Sequence, residues 1–460
     1  MFKRKRERYV DMLILGVGGV SGAGTAFAAC MATNLKSVVG IEQYAEPGLV
    51  NSHWANNSQT VHTGDDPHYT EEKAEETHAA SLPLFQYAKT KNNPLLAQTI
   101  RKMTIAVGTE ECAVLREQSK WMAKKFGIRL IERDEIARLE PNVIKERDEK
   151  EEICAIVTDD GLMVNFQELA RMLLADAKAA RPDLELQFNT SAGKATYDAA
   201  RGCYRVATKH EIFYAKSLVV TCGAGSLSYA HHLGLGREYV IGPVKGDYCA
   251  IPDVVTGKVY EAQTKGIPFS GGHVDPNIVG GRCRFGPLTK FSLFLEWFKW
   301  KTVPGLMRMW MRHPIRGPLA LYKIFQEDKM RAYAKEQFLF GLPVVGMEHV
   351  AEKLRKIIPS IRTEDIVRLS NAGGTRPQLV NILLGILEMG NKVFAAFCAR
   401  IVSTPSPGAS VSMATGRDVV SQIIGEMGFP YYFDHHAFES AVSGSMIKPR
   451  APWEHSFGTL

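Results

Sequence analysis

A chain of 460 residues, 45% hydrophobic and 23% charged, can bury more than one core and is neither disordered nor fibrous. Its net charge of +7 is a mild excess, and no nucleic-acid module accompanies it. No stretch reaches the roughly 18 uncharged apolar residues that a membrane span requires.

The chain opens on Lys3, Arg4, Lys5, Arg6 and Arg8. Such a cluster suits anionic lipid, or else a solvated, frayed terminus. No leader peptide is expected, because the first apolar run is only a few residues long and glycines follow it. That run, Met12 to Leu15, reads as a buried parallel strand. A turn with Gly16, Gly18 and Ser21 comes next, then a small-residue helix from Gly22 to Leu35. A second strand, Ser37 to Ile41, ends in Glu42. The order strand, glycine turn, helix, strand, acid is that of a dinucleotide-binding unit. Gly16 and Gly18 let backbone approach a pyrophosphate, and Ser21 is small enough to keep the helix close to the sheet. Glu42 can accept both hydroxyls of an adenosine ribose, which argues against a 2′-phosphate. The element alone does not separate FAD from NAD.

A long polar stretch follows, from Asn51 to Gly64, and includes Asn57, Ser58, Gln59, Thr60 and His62. Its amides, hydroxyls and histidines suit contacts to a flavin ring and a substrate. Helices are expected over Glu71–Thr90, interrupted near Pro83, over Leu95–Met103, and over Glu110–Phe126. A strand is expected over Ile128–Ile131 and a short helix over Arg133–Leu139. Ile153 to Val157 reads as a strand that turns at Asp159, Asp160 and Gly161. Asn165 caps a helix from Phe166 to Ala179. A run of strands then ends at Thr221, before Gly223 and Gly225, which again allow backbone near a cofactor.

From Ile241 the pattern becomes alternating strands, one of them carrying Lys245 and another spanning Ile267 to Asp275. His273 and Asp275 share a strand face, so the carboxylate can hold the imidazole's tautomer and support a base. Phe291 to Phe325 mixes Phe, Trp and Met with Lys299, Lys301, Arg308, Arg312 and Arg316, broken by Pro304 and Pro314. This composition suits the headgroup layer of a membrane, or a core helix pair. Gln337 to Pro343 reads as a strand and Val350 to Ile358 as a helix. Arg376, after two glycines, is placed for a bidentate carboxylate clamp. Pro407, Gly408 and Ala409 precede a helix whose N-terminus suits a negative flavin pyrimidine edge. His435 and His436 lack a third ligand, and the eight scattered cysteines show no CxxC spacing. No metal is expected, and reduced core thiols point to a cytosolic compartment.

As a set, the motifs resemble the malate:quinone oxidoreductases, in their shorter bacterial type. They are Gly16-x-Gly18-x-x-Ser21, Asn57 to His62 with Gly64, Tyr69-Thr70 and Leu139 to Val143. They continue with His273-x-Asp275-Pro276, Phe285-Gly286-Pro287, Arg376-Pro377-Gln378 and Thr404 to Ala409. The wider group is similar to D-amino-acid and 2-hydroxyglutarate oxidising flavoproteins. The resemblance implies an α/β fold, with a Rossmann-like FAD domain built from discontinuous segments and an α+β substrate domain carrying a mixed sheet. The expected boundaries are 1–90, 150–240 and 370–430 for the FAD domain, 91–149 and 241–369 for the substrate domain, and a tail over 431–460. It implies oxidation of (S)-malate with electrons passed to membrane quinone, by a protein peripheral on the inner face of the cytoplasmic membrane. The expected site has His273 as base with Asp275 behind it, Arg376 on one substrate carboxylate, and His62 or Lys245 on the other. An oxidase for 2-hydroxyglutarate or an amino acid, and a scaffold without catalysis, are the alternatives.

Overall fold

The computed structural model describes residues 5–262, 271–296, 299–342, 345–369, 372–388, 392–404 and 407–445. Of the residues singled out above, Lys3, Arg4, 267–270, Trp297, Phe298, Pro343, Pro405 and Ser406 lie outside that set.

Two sheets organise the chain. The first is built on strand β1 (Arg6–Leu15), helix α1 (Val20–Ala32) and strand β2 (Val38–Ile41). Strand β1 pairs in parallel with β2 on one side and with Glu211–Val220 on the other. Ala399–Ser403 extends the sheet beyond Glu211–Val220, also in parallel. Alternate residues of β1 enter different cores. Met12 and Ile14 pack with α1, while Leu13 and Leu15 pack on the opposite face. Such burial on both sides is what a continuous apolar run implies. Arg8 is not a free surface cation, because it pairs with Glu185 at 2.8 Å and Glu211 at 3.4 Å across this sheet. Lys5 donates to Thr208 O at 2.6 Å, so the described part of the basic start is tied into the fold.

Helix α1 packs on the Ser412–Met427 helix through two small residues. A Cβ on Gly24 would lie 2.9 Å from Ser412 O, and one on Gly416 would lie 2.6 Å from the Gly24 carbonyl carbon. The His435–Val442 helix seals the same layer, with Phe438 fully buried beside Phe27. The described part of the expected tail therefore belongs to this core.

The second sheet is mixed. Among the described residues it runs Ile386–Glu388, Gly374–Asn381, Tyr239–Ile251, Cys283–Phe291, His273–Asp275, Lys258–Glu261, Ala97–Val107, Ile153–Val164 and Arg129–Glu132, with Val367–Arg368 beside the third of these. This order cuts across the expected boundaries at 150 and 370, because 153–164 and 374–388 lie in the second sheet. One face carries Met103, Val157, Val259, Val274 and Phe285, covered by Val350, Leu354, Ile357 and Ile358. The other face carries Lys102, Lys258, Tyr260, His273, Asp275 and Arg284, all buried.

Four local expectations change. Ala97–Val107 is a strand and not a helix, held by its antiparallel ladder with Ile153–Val164. That partner runs straight through Asp159 to Gly161, and a register shift at Ile100/Lys102 absorbs the irregularity. Gln337 to Phe340 ends a helix, Asp328–Phe340, where a strand was expected. Glu71–Thr90 continues through Pro83, its lost hydrogen bond offset by burial of Leu84, Tyr87 and Ala88.

Candidate functional site

The turn after β1 is tight because Gly16 sits at φ +79°, where a side chain is strained. Close approach of α1 to the sheet depends on Gly22. A Cβ there would collide with Gly16 O and come within 2.7 Å of Val17 Cα. That packing role was expected of Ser21, which instead faces the cavity. Glu42 ends β2 with its carboxylate turned inward, accepting from Gly18 N and Tyr44 N, each at 3.1 Å. Burial pushes its pKa up, opposed by those N–H groups.

A cavity of about 400 Å³ opens in front of this turn. Gly16, Gly18, Ser21 and Glu42 form one part of its wall, and Asn57, Ser58, Thr60 and His62 another. Gly223, Gly225, Arg376, Pro407, Gly408 and Ala409 complete the set that the sequence brought forward. The last three stand just ahead of the Ser412–Met427 helix, whose positive end thus faces the same space.

His62 is oriented from behind. Its Nδ1 lies 2.9 Å from Asp66 Oδ2, in hydrogen-bonding geometry. Burial would raise the Asp66 pKa, but Lys102 and His62 outweigh it and hold the carboxyl well below the usual range. Lys102 Nζ reaches Asp65 at 2.8 Å and Asp66 at 3.1 Å. Burial alone would lower Lys102, yet the two aspartates keep it above its ordinary value.

The His273–Asp275 pair forms, with His273 Nδ1 2.7 Å from Asp275 Oδ2. The two atoms approach closely without hydrogen-bond alignment. Contrary to expectation, neither residue is on the cavity wall. The His273 ring packs on Tyr260, centroids 4.7 Å apart, and the Tyr260 hydroxyl meets Thr60 Oγ1 at 2.6 Å. Thr60 and Tyr260 thus stand in front of it. Burial pushes the His273 imidazole below its usual value, with Asp275 opposing, so the ring is neutral. Burial would raise Asp275, but His273, Lys258 and Arg284 bring it down to about 2.

Two further residues sit elsewhere than expected. Gln59, at φ 55° and fully buried, turns away from the cavity. Its amide donates to Trp54 O and Asn277 Oδ1, each at 3.0 Å, and accepts from Ile278 N. It braces the loop against the second sheet. Lys245 pairs with Asp247 on its own strand and is not on the wall. Arg376 is on the wall, next to the Tyr248 hydroxyl on the neighbouring strand.

The model of the FAD dependent oxidoreductase family (DAO) matches residues 11–422. The chain belongs to this family of FAD-dependent oxidoreductases. A malate:quinone oxidoreductase of Helicobacter pylori is 30% identical over 415 residues, covering 87% of this chain and 91% of that one. A probable malate:quinone oxidoreductase of Campylobacter jejuni is 28% identical over 450 residues, covering 94% and 99%. Among solved structures, FAD-bound L-alpha-glycerophosphate oxidase of Mycoplasma pneumoniae superposes with a TM-score of 0.61 at 17% identity, covering 94% of this chain and 98% of that one. Glycine oxidase of Geobacillus kaustophilus superposes at 0.62 and 16% identity, with the same coverage. These two establish the fold.

In this FAD-dependent oxidoreductase the donor set fits the cofactor. Gly16, Gly18 and the start of α1 suit the pyrophosphate, and the inward carboxylate of Glu42 suits a ribose. All eight cysteines are free and seven are buried, as expected of core thiols; Cys222 is half-buried beside the cavity. No group of metal-ligating side chains occurs among the described residues, and no described helix is long and apolar enough to cross a membrane.

Proposed function

We propose that this FAD-dependent oxidoreductase oxidises (S)-malate to oxaloacetate and delivers the electrons to a membrane quinone. The observation that carries this reading is that His62 and Arg376 share one cavity with the glycine turn and Glu42. The names of the relatives, and motifs spread over nearly the whole chain, support the substrate. FAD, when bound, would supply the hydride acceptor for the carbinol carbon. His62, held by Asp66 through Nδ1, is placed to take the hydroxyl proton on its other nitrogen. Arg376 supplies a planar fork for a substrate carboxylate. A buried dianion needs such partners, since leaving either charge uncompensated costs several kcal/mol. His273 and Asp275, set behind Tyr260, act through the wall and not on it.

The test is anaerobic mixing of the yellow protein with malate, followed by a soluble quinone. Bleaching by malate and return of colour with quinone is the expected result. Bleaching by 2-hydroxyglutarate or an amino acid alone, or rapid hydrogen peroxide formation in air, overturns it. Arg376→Lys loses the fork. Loss of one charge-assisted bond is worth about 1.5–3 kcal/mol, or about 10- to 100-fold in KM for malate. An unchanged KM removes the clamp.

The membrane contact is assigned to helices Val303–Met311 and Arg316–Gln326. Their inner residues Leu306, Met309, Ala320 and Ile324 are buried in the protein core. Their outer side leaves Met311, Ile315 and Tyr322 at 69%, 80% and 63% exposure, with Trp300 just ahead at 74%. Lys301, Arg308, Arg312, Arg316 and Lys323 are exposed among them. Apolar tips ringed by cations suit an anionic lipid surface, which supports a peripheral seat on the inner face of the cytoplasmic membrane. Trp300→Ser with Ile315→Ser should weaken co-sedimentation with phosphatidylglycerol vesicles about tenfold or more, while malate oxidation with a soluble dye persists. Unchanged co-sedimentation removes this surface.

A further inference from the structure

The loop that walls the cavity has a second side, and it rests on buried charge. Lys258 opens the Lys258–Glu261 strand at 1% exposure. Its Nζ donates to Ser58 O at 2.9 Å and stands 3.3 Å from Asp275 Oδ1. Ser58 is on the cavity wall, whereas Asp275 touches His273 behind it. One ammonium group therefore grips both layers. Arg284 assists from the next strand but one, donating to Trp54 O at 3.2 Å and Asn57 O at 3.3 Å. Neither Asp275 oxygen has an aligned hydrogen bond. Its charge is balanced by the nearby Lys258 ammonium and Arg284 guanidinium, with the His273 ring close by. A buried carboxylate in that condition is sensitive to the loss of any one cation.

We propose that Lys258 is a positioning residue of the FAD site, fixing the Ser58 backbone on the cavity wall while keeping the Asp275 carboxylate charged behind it. The proposal rests on the chain being an FAD-dependent oxidoreductase and is independent of which hydroxy acid it oxidises. Lys258 faces Asp275 and Arg284, and Lys102 is its partner on the adjacent strand. Burial and the two cations favour loss of its proton, Asp275 opposes, and the balance brings it down to about 8. Alkaline conditions should therefore loosen its hold on Asp275, and with it the loop.

The experiment uses the full-length holoenzyme, as wild type, Lys258→Met and Lys258→Arg. Three quantities are read: FAD affinity by flavin fluorescence on release, hydrogen exchange over residues 51–62, and the pH dependence of the bound flavin's visible spectrum. Lys258→Met should hold FAD about tenfold more weakly, as expected for a lost charged hydrogen bond. It should also lose protection in the loop, and a spectral transition near the Lys258 value of about 8 should be present in wild type and absent in the variant. Lys258→Arg should restore affinity and protection at least in part. Wild-type affinity, protection and pH profile in Lys258→Met overturn the proposal. If that variant does not fold, the wild type alone decides. Loop protection, corrected for the chemical exchange rate, should fall between about pH 7 and about pH 9; constant protection overturns the proposal. Failure of malate to bleach the flavin would strike the substrate assignment and leave these readouts standing.

Discussion

His62→Gln should slow anaerobic bleaching of the flavin by malate by about 100-fold or more, the usual worth of a general base. FAD content should stay at the wild-type level. The comparison that decides is His273→Ala, which removes the base expected from sequence. His62 is on the cavity wall with Nδ1 engaged by an ionised Asp66. His273 is sealed at 4% exposure behind Tyr260. The His62 variant should therefore be the slower of the two. His273→Ala should act at one remove, through Asp275 and Tyr260, with a smaller loss. If the order reverses in stopped-flow measurements, the proton goes to His273 and the wall residue only binds.

Gly22→Val should yield protein without colour, or no soluble protein. The added atoms would meet Gly16 O, Val17 Cα and Thr221 Oγ1, two of them backbone. Ordinary overpacking costs about 1–3 kcal/mol when side chains can give way. Here the obstacle is the turn that approaches the cofactor, so strain falls directly on FAD binding. Ser21→Ala, one residue earlier, should keep its flavin, because the Ser21 side chain is not what separates helix from sheet. Visible absorbance per protein and thermal midpoints check both. A yellow, stable Gly22→Val protein would mean that the helix can shift without cost.

Residues 12–42 are legible because local rules and the global fold agree there: apolar strand, glycine turn, small-residue helix, terminal acid. Only the third contact position was misassigned, by one residue. The motif carrying Arg376, and the one carrying Pro407 to Ala409, also reached the cavity as read. Errors gathered where charge is buried. Lys102 carries no mark of burial in the sequence, and it lies in the 95–103 stretch expected to be helical. In the fold Asp65 and Asp66 neutralise it inside a strand. Lys258 and Arg284 are silent in the sequence for the same reason. Each stands alone in a short alternating segment, and alternation says which residues share a face without saying whether that face meets water. The signal was present all the same. Lys258 and Tyr260, His273 and Asp275, and Arg284 share one register across three neighbouring strands, and that register is buried like the apolar one opposite. The turn expected at Asp159 rested on residue chemistry that a long paired ladder overrides.

The order of strands in the first sheet has a consequence for how the protein is made. Glu211–Val220 lies between β1, from the beginning of the chain, and Ala399–Ser403, from near its end. Helix α1 is closed off by the Ser412–Met427 and His435–Val442 helices. A ribosome must therefore release the chain through about residue 442 before the nucleotide half has its full set of neighbours. Flavin capture then waits on these later segments, and the apolar surface of the early ones stays exposed to chaperones until they emerge.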